Sequence, residues 1–310
     1  MKKIFLTFTL ALLLCNLPVL AEEAQKSDFS HIGFHKNLEI PTETQIKQVF
    51  EQYQKYSNNK ALEKFLNLHD DSYISSDGYT KSNLKDIAIE SWKEYPDIKY
   101  SIKVLNVNVD IDNATVITQE KLSGTTNIPV EFIKGNGYIL SEATAVYYLK
   151  RFSNEWKITS DFILNEKTSM RYGLAKYIPM SIDAPSIVGI NEDYTAVLKA
   201  SLPDKYLALI SITNEPITFP GKKSQEVFRA LKDRGIQERI LHSGNGDKNE
   251  NAVASVGIAK PTIKNDNINV NLLGIAFLTS RVNVVKHKSG NFEFNATKSV
   301  EAQIDKKTSK

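Results

Sequence analysis

The residues that follow Lys99 alternate between apolar and polar side chains, and this alternation changes phase once. The apolar positions are Tyr100, Ile102 and Val104, and then Leu105, Val107, Val109 and Ile111. A period of two residues predicts a β-strand with one buried face. A slip of one residue predicts a β-bulge, because the later side chains would otherwise turn to the wrong face. We therefore expect a long strand that bends near Val104, as curved antiparallel sheets require.

Helical patterns precede this strand. A first helix is predicted to begin at the capping box of Thr42 and Gln45. A second, short helix buries Phe65, and a third is capped by Ser82 and stopped by Pro96. Each helix has apolar residues on one side only, which is typical of helices that cover a sheet.

Further strand patterns follow the bent strand. A turn at 112–113 leads into a return strand, and a long strand is predicted over 138–152. The closing strand contains Trp156, Ile158 and Phe162, which are predicted to share one face and to meet Phe50 and Tyr53 of the first helix. By the same count of residues, Asp161 is predicted to lie on the opposite face.

Several short motifs occur in a characteristic order. They are Phe50 with Tyr53, His69-Asp70-Asp71-Ser72, Ser76-Asp77-Gly78, Trp92 with Tyr95-Pro96-Asp97, and Trp156-Lys157-Ile158-Thr159-Ser160-Asp161. In this order they resemble nuclear transport factor 2-like (SnoaL-like) domains. The resemblance covers less than half of the chain and implies a cone, in which a curved sheet wraps around a pocket. That family includes isomerases, cyclases, ligand binders and association modules, so the resemblance implies a fold without a specific function.

The resemblance also implies candidate site residues. In ketosteroid-isomerase-like members of this fold, an aspartate after the second helix is the base, and a tyrosine on the first helix and an acid on the sheet bind the oxyanion. The matching positions here are Asp77 for the base, Tyr53 for the donor and Asp161 for an acid–base group on the closing strand.

Each of these residues also has a purely structural interpretation. Asp77 directly precedes Gly78, as turn residues do, and Asp77→Asn should then cost about 1 kcal/mol or less. Tyr53 can be a core residue with a satisfied hydroxyl group, and Asp161 a surface or hydrogen-bonded residue.

The second half of the chain changes character after Tyr177, where prolines separate short apolar runs. These runs predict a β-rich, sandwich-like domain with a single helix over 224–232, based on Val227, Phe228 and Leu231. It resembles no family that we identify. The predicted class is α+β. The predicted organisation is a signal peptide (1–21), a linker (22–40), the nuclear transport factor 2-like domain (41–175), the β-rich domain (180–300) and a flexible tail (301–310).

The first residues have the features of an export signal. Lys2 and Lys3 precede an apolar run that is too short to span a bilayer, and Ala21 offers a cleavage point before two glutamates. An uncleaved anchor and a lipid anchor on Cys15 are the alternatives. After cleavage the chain is expected to be secreted or periplasmic and to contain no cysteine, which excludes disulfides and thiolate catalysis.

Charge and motifs exclude several classes of function. Removal of Lys2 and Lys3 lowers the formal net charge from +3 to +1, and no basic stripe with interleaved aromatic residues predicts a nucleic-acid partner. No later apolar run is long enough to predict a membrane span. His31 and His35 flank Gly33 without a third ligand nearby, and no phosphate-binding glycine loop is present. We therefore predict no metal and no cofactor.

Two classes of function remain open. The first is a non-catalytic ligand-binding or assembly protein of the cell envelope. The second is a small-molecule isomerase or cyclase that works in the cone. The expected partners are a small hydrophobic ligand or an envelope protein, and a homodimer through the curved sheet is possible for this fold. Converging polar side chains in a water-poor cavity would favour the enzyme.

Overall fold

The computed structural model describes residues 42–131, 133–221, 225–231, 235–264 and 267–286. The predicted signal peptide, the linker, His31, His35 and the tail after residue 300 lie outside the described residues. The described part begins with helices α1 (Thr42–Asn58), α2 (Leu62–Asn67) and α3 (Lys81–Glu94). The third helix is capped by Thr80, whose side chain accepts from the Asn83 backbone N–H, so the prediction of Ser82 as its cap is wrong.

The strands follow the helices. Their bounds are β1 (Lys99–Asp110), β2 (Asn113–Thr126), β3 (Gly137–Phe152), β4 (Glu155–Gly173), β5 (Met180–Asp183), β6 (Ile187–Gly189), β7 (Asp193–Ala200), β8 (Leu207–Pro216), β9 (Arg229–Ala230), β10 (Ile236–His242), β11 (Glu250–Lys264) and β12 (Asn267–Val285). A 3₁₀ turn, Leu174–Tyr177, joins β4 to β5.

Within the described residues, a large sheet has the order β1-β2-β3-β4-β12-β11-β8-β9, with β6 beside β12, and a small sheet has the order β10-β7-β5. The α+β class is confirmed in this form: a few helices, then a large, mainly antiparallel sheet and a small one. Strand β4 pairs with β3 along its length and with β12 near its end, so the large sheet continues from the first half of the chain into the second. The domain boundary near residue 175 stays a prediction.

The predicted bulge in β1 is confirmed. Its ladder with β2 shifts between Val104 and Asn106, where the apolar alternation changes phase in the sequence. Ala114, Val116 and Leu122 of β2 are buried on the inner face of this bent sheet.

A second bulge, in β4, changes the predicted faces. Ile158 lies opposite Leu149 while Ser160 lies opposite Tyr148, so Thr159 is the extra residue. Residues directly opposite each other in a ladder share a face. Asp161 is opposite Tyr147 and therefore shares the inner face with Ile158, whereas Phe162 turns outward. The predictions for both Asp161 and Phe162 are wrong, because the bulge reverses the phase after Thr159.

The helix predicted over 224–232 is also wrong for the residues that the structure describes there. Residues 225–228 have no regular structure, and Arg229–Ala230 form the edge strand β9 on β8. The Leu231 N–H donates to the Ala208 carbonyl at 2.9 Å and the Val227 N–H to the Ser211 hydroxyl at 3.1 Å. Hydrogen bonds to β8 satisfy this backbone instead of a helical turn.

The described part of the chain has two hydrophobic cores. The first lies between the helices and the inner face of β1–β4, and it includes Phe50, Trp156 and Ile158. The second lies between the small sheet and the later strands of the large sheet, with Leu198 and Val256 among its members. No helix in the described ranges is long and apolar enough to cross a membrane.

Candidate functional site

Aromatic rings from the helices and the sheet meet on the inner face of the bent sheet. The Phe50 and Tyr147 ring centroids are 5.1 Å apart, and Tyr53 lies 5.0 Å from Phe65 and 6.2 Å from Tyr147, all with edge-to-face geometry. The predicted meeting of the first helix with the inner face of the sheet is confirmed. Tyr53 thus stands where α1 faces β3.

A carboxyl group lies beside these rings. The Tyr147 hydroxyl donates to Glu120 Oε1 at 2.7 Å, and the Thr118 hydroxyl donates to the same oxygen at 2.8 Å. Burial raises the pKa of the Glu120 carboxyl, and these two hydrogen bonds oppose the rise. Burial also raises the pKa of Tyr53 and Tyr147 well above the usual range, so both stay neutral hydroxyl donors.

A second carboxyl group faces the same space. Asp161 accepts a hydrogen bond from the Tyr73 hydroxyl group. Burial raises the pKa of the Asp161 carboxyl to about 6, against the lowering effect of that hydrogen bond. Asp161 can therefore change its protonation state near neutral pH. We call Tyr53, Tyr73, Glu120, Tyr147 and Asp161 the interior cluster.

His69 borders the interior cluster from the helix side. Its ring stands edge-to-face to Tyr53, Phe65 and Tyr73, with centroid distances of 5.8, 5.0 and 5.0 Å. Burial lowers the pKa of His69 to about 3, so the ring is neutral. Its Nδ1 lies 3.1 Å from the Phe65 carbonyl oxygen, which only a protonated Nδ1 can bond. His69 thus packs as a neutral ring along one side of the interior cluster.

Asp77 has a different surrounding from that of a free catalytic base. Both terminal nitrogens of Arg281 in β12 donate hydrogen bonds to the Asp77 carboxylate, at 2.6 and 3.0 Å. Asn249 Nδ2 donates to the same carboxylate at 2.8 Å. Arg281 is 2% exposed and Asp77 7% exposed. Asp77 does lie in a turn before Gly78, whose φ is +81°. The interpretation of Asp77 as a turn residue alone is nevertheless incomplete, because it is half of a buried ion pair.

The structure brings together two of the three predicted residues. Tyr53 and Asp161 belong to the interior cluster, whereas Asp77 is held by the second half of the chain. Sequence reasoning missed Glu120, although it falls on the inner-face positions counted from Ala114 and Val116. The signal available in the sequence was a charged residue at a position where the alternation predicts a buried side chain. Among the described residues, no group of three potential ligands is placed to hold a metal ion.

Comparisons with known proteins concern the fold. No family model matches the chain, and no curated protein does. Solved structures match about 39% of it. A conserved protein from Planctomyces limnophilus is 13% identical over 38% of this chain and 91% of its own, with a TM-score of 0.34. An NTF2-like family protein from Streptomyces avermitilis is 15% identical over 39% and 93%, with a TM-score of 0.31.

A third match is the hexachlorocyclohexane dehydrochlorinase LinA-type3 from Novosphingobium barchaimii. It is 15% identical over 39% of this chain and 86% of its own, with a TM-score of 0.33. The sequence resembles nuclear transport factor 2-like proteins, and one of the matched structures comes from that family. At such identities, the activity of these proteins carries no conclusion for this chain.

Proposed function

We propose that the cone is a binding site for a small neutral molecule with an apolar body and one polar oxygen. One observation carries this proposal: hydroxyl and carboxyl groups from α1, β2, β3, β4 and the loop before α3 converge in the interior cluster. Most of the surface of Tyr53, Glu120 and Asp161 is buried by protein, but each of these residues keeps some solvent-accessible surface. Such convergence in an apolar surrounding is typical of small-molecule sites.

The electrostatics of the interior cluster favour a neutral ligand. Both of its carboxyl groups have a raised pKa because burial disfavours their charged form. An anionic ligand would add a further negative charge to this space at a large cost in desolvation. A carbonyl or hydroxyl oxygen can instead exchange hydrogen bonds with the tyrosine hydroxyl groups. The hydrocarbon part can rest against the ring of Tyr53, which is only partly buried.

Calorimetric titration with matched bicyclic probes tests this proposal. We expect 1-tetralone to bind about five-fold more tightly than naphthalene, because only the ketone accepts a hydrogen bond, and each buried hydrogen bond is worth about 1 kcal/mol. Equal affinities for the two probes would contradict a polar contact in the cone.

A second candidate function is proton transfer at a carbon atom next to a carbonyl group. The pKa of Asp161 favours it, because a general base works best when its pKa lies near the working pH. In such a reaction the Asp161 carboxylate would take a proton from the carbon, and a tyrosine hydroxyl would donate to the developing enolate oxygen. The proton would then return to a different position or the same one.

Hydrogen–deuterium exchange at C2 of 1-tetralone in D₂O, followed by NMR, separates binding from catalysis. We expect the protein to accelerate this exchange, with a rate that rises as pH passes through about 6 and then levels, because only ionised Asp161 accepts a proton. Asp161→Asn should abolish the acceleration, while Asp183→Asn at an exposed ion pair should not. An Asp161→Asn protein that binds the ketone and still accelerates exchange would exclude Asp161 as the base.

We also propose that the protein is exported. The positive start, the short apolar run and Ala21 support this proposal. Mass spectrometry of the mature protein from its own host should then find Glu22 as the first residue, whereas a diacylglyceryl group on Cys15 would indicate a lipid anchor instead.

A further inference from the structure

A groove of about 740 Å³ lies at the tip of the β3–β4 hairpin, where α1 and α2 pass over it. We call it the hairpin groove. Gln48 and Gln52 of α1 line one side, and Arg151, Trp156 and Lys157 line the other. The groove is separate from the interior cluster: Trp156 precedes Asp161 by five residues on β4, and the buried Ile158 lies between them.

Two nitrogen donors of the hairpin groove lack hydrogen-bond partners within the described ranges. They are Nε1 of Trp156 and Nε of Arg151, and both atoms are buried. Trp156 is 5% exposed, and buried indole N–H groups usually have a partner. Arg151 and Trp156 lie directly opposite each other in the β3–β4 ladder, so their side chains share a face. A ligand that accepts hydrogen bonds from both nitrogens would satisfy these donors, and a buried donor without a partner is costly.

The charges around the hairpin groove have mainly one sign. Lys64, Arg151 and Lys157 line it, and Glu155 is its one acidic lining residue among those described. Glu155 lies 3.7 Å from Lys157 and its side chain is 77% exposed, so solvent screens that pair. The Lys157 ammonium also donates to the Asn67 carbonyl at 3.2 Å, which holds it at the edge of the groove. The groove therefore has a surplus of positive charge, which lies next to the unpartnered N–H groups of Arg151 and Trp156.

We infer that the hairpin groove binds a small organic carboxylate with a flat apolar body. Guanidinium groups match the geometry of a carboxylate, and charged hydrogen bonds are stronger than neutral ones. The apolar body has Val49, Tyr56 and Leu68 to pack against, and the glutamine amides of α1 can bond to further polar groups of the ligand. This inference is independent of the function proposed for the cone, because it uses none of the residues of the interior cluster.

Calorimetric titration of the full chain with benzoate, benzamide and inorganic phosphate tests the inference. Benzoate and benzamide have the same flat body, and only benzoate is charged. We expect benzoate to bind at least about ten-fold more tightly than benzamide, because a charge-assisted hydrogen bond is worth more than a neutral one. Phosphate is expected to bind more weakly than benzoate. Equal binding of benzoate and benzamide, or phosphate binding as tight as that of benzoate, would overturn the inference.

Matched variants locate the binding. Arg151→Gln should remove the preference for benzoate and Arg151→Lys should restore part of it. Lys150→Gln changes the same charge at the next residue, which is exposed on the other face, and should leave the preference intact. The chain has two tryptophans, so Trp92→Phe leaves Trp156 as the fluorescent reporter, and benzoate should change its emission. If Arg151→Gln does not fold, a benzoate-insensitive Trp156 emission in the Trp92→Phe protein is the result that refutes the site.

Discussion

Replacement of Arg281 by methionine is expected to lower the free energy of unfolding by about 3–5 kcal/mol. The methionine leaves the Asp77 carboxylate buried without its partner, and the remaining bond from Asn249 cannot replace a guanidinium group. Arg281 also donates from Nε to Asn283 at 2.9 Å, so two polar groups lose their donor. Denaturant unfolding, followed by circular dichroism, measures the change.

An exposed ion pair of the same large sheet gives the control. Lys121 and Glu142 are 2.8 Å apart with more than half of each side chain exposed, and Lys121→Met should cost less than about 1 kcal/mol. Addition of Asp77→Asn to Arg281→Met should recover part of the loss, because the buried charge disappears. If Arg281→Met is as mild as Lys121→Met, the pair does not hold the loop before α3 against β12.

Replacement of Trp156 by alanine is expected to destabilise the protein by about 3–5 kcal/mol, as truncation of large buried aromatic residues does. Trp156 belongs to the core between the helices and the inner face of the sheet, together with Phe50 and Ile158. The substitution would remove the contacts that the indole makes with this core beneath α1 and α2.

Phe152 is the matched control for this second substitution. It lies on the same hairpin but is 37% exposed, so Phe152→Ala should cost less than about 1 kcal/mol. Chemical denaturation of the two variants compares them directly. Similar decreases in the free energy of unfolding for Trp156→Ala and Phe152→Ala would mean that the indole does not contribute to the core as a buried side chain.

The fold was predictable where the local pattern and the tertiary contacts agree. The bulge of β1 could be predicted because the apolar alternation itself changes phase at Val104. The bulge at Thr159 could not, because the residues from Thr159 to Asp161 are all polar and show no phase to follow. The ladder with β3 fixes it instead, and the side chain of Asp161 points inward for that reason.

The site was predictable only in its local parts. Tyr53 lies on the apolar stripe of α1, and its position follows from helical periodicity. The ion pair of Asp77 and Arg281 joins residues that are 204 positions apart, and no local pattern indicates such a contact. The helix predicted around Val227 failed for the opposite reason: three apolar residues have helical spacing there, but pairing with β8 determines the backbone.

The most direct test of a ligand site in the cone compares two neighbouring tyrosines in the titration with 1-tetralone. Tyr147 is buried and donates to Glu120, whereas Tyr148 is 46% exposed on the other face of the same strand. Tyr147→Phe should weaken binding of the ketone by about five-fold, since it removes one hydrogen bond and leaves Glu120 with Thr118 as its remaining donor. Tyr148→Phe should bind like the wild-type protein. Equal affinities of the two variants and the wild type would contradict a ligand site in the cone.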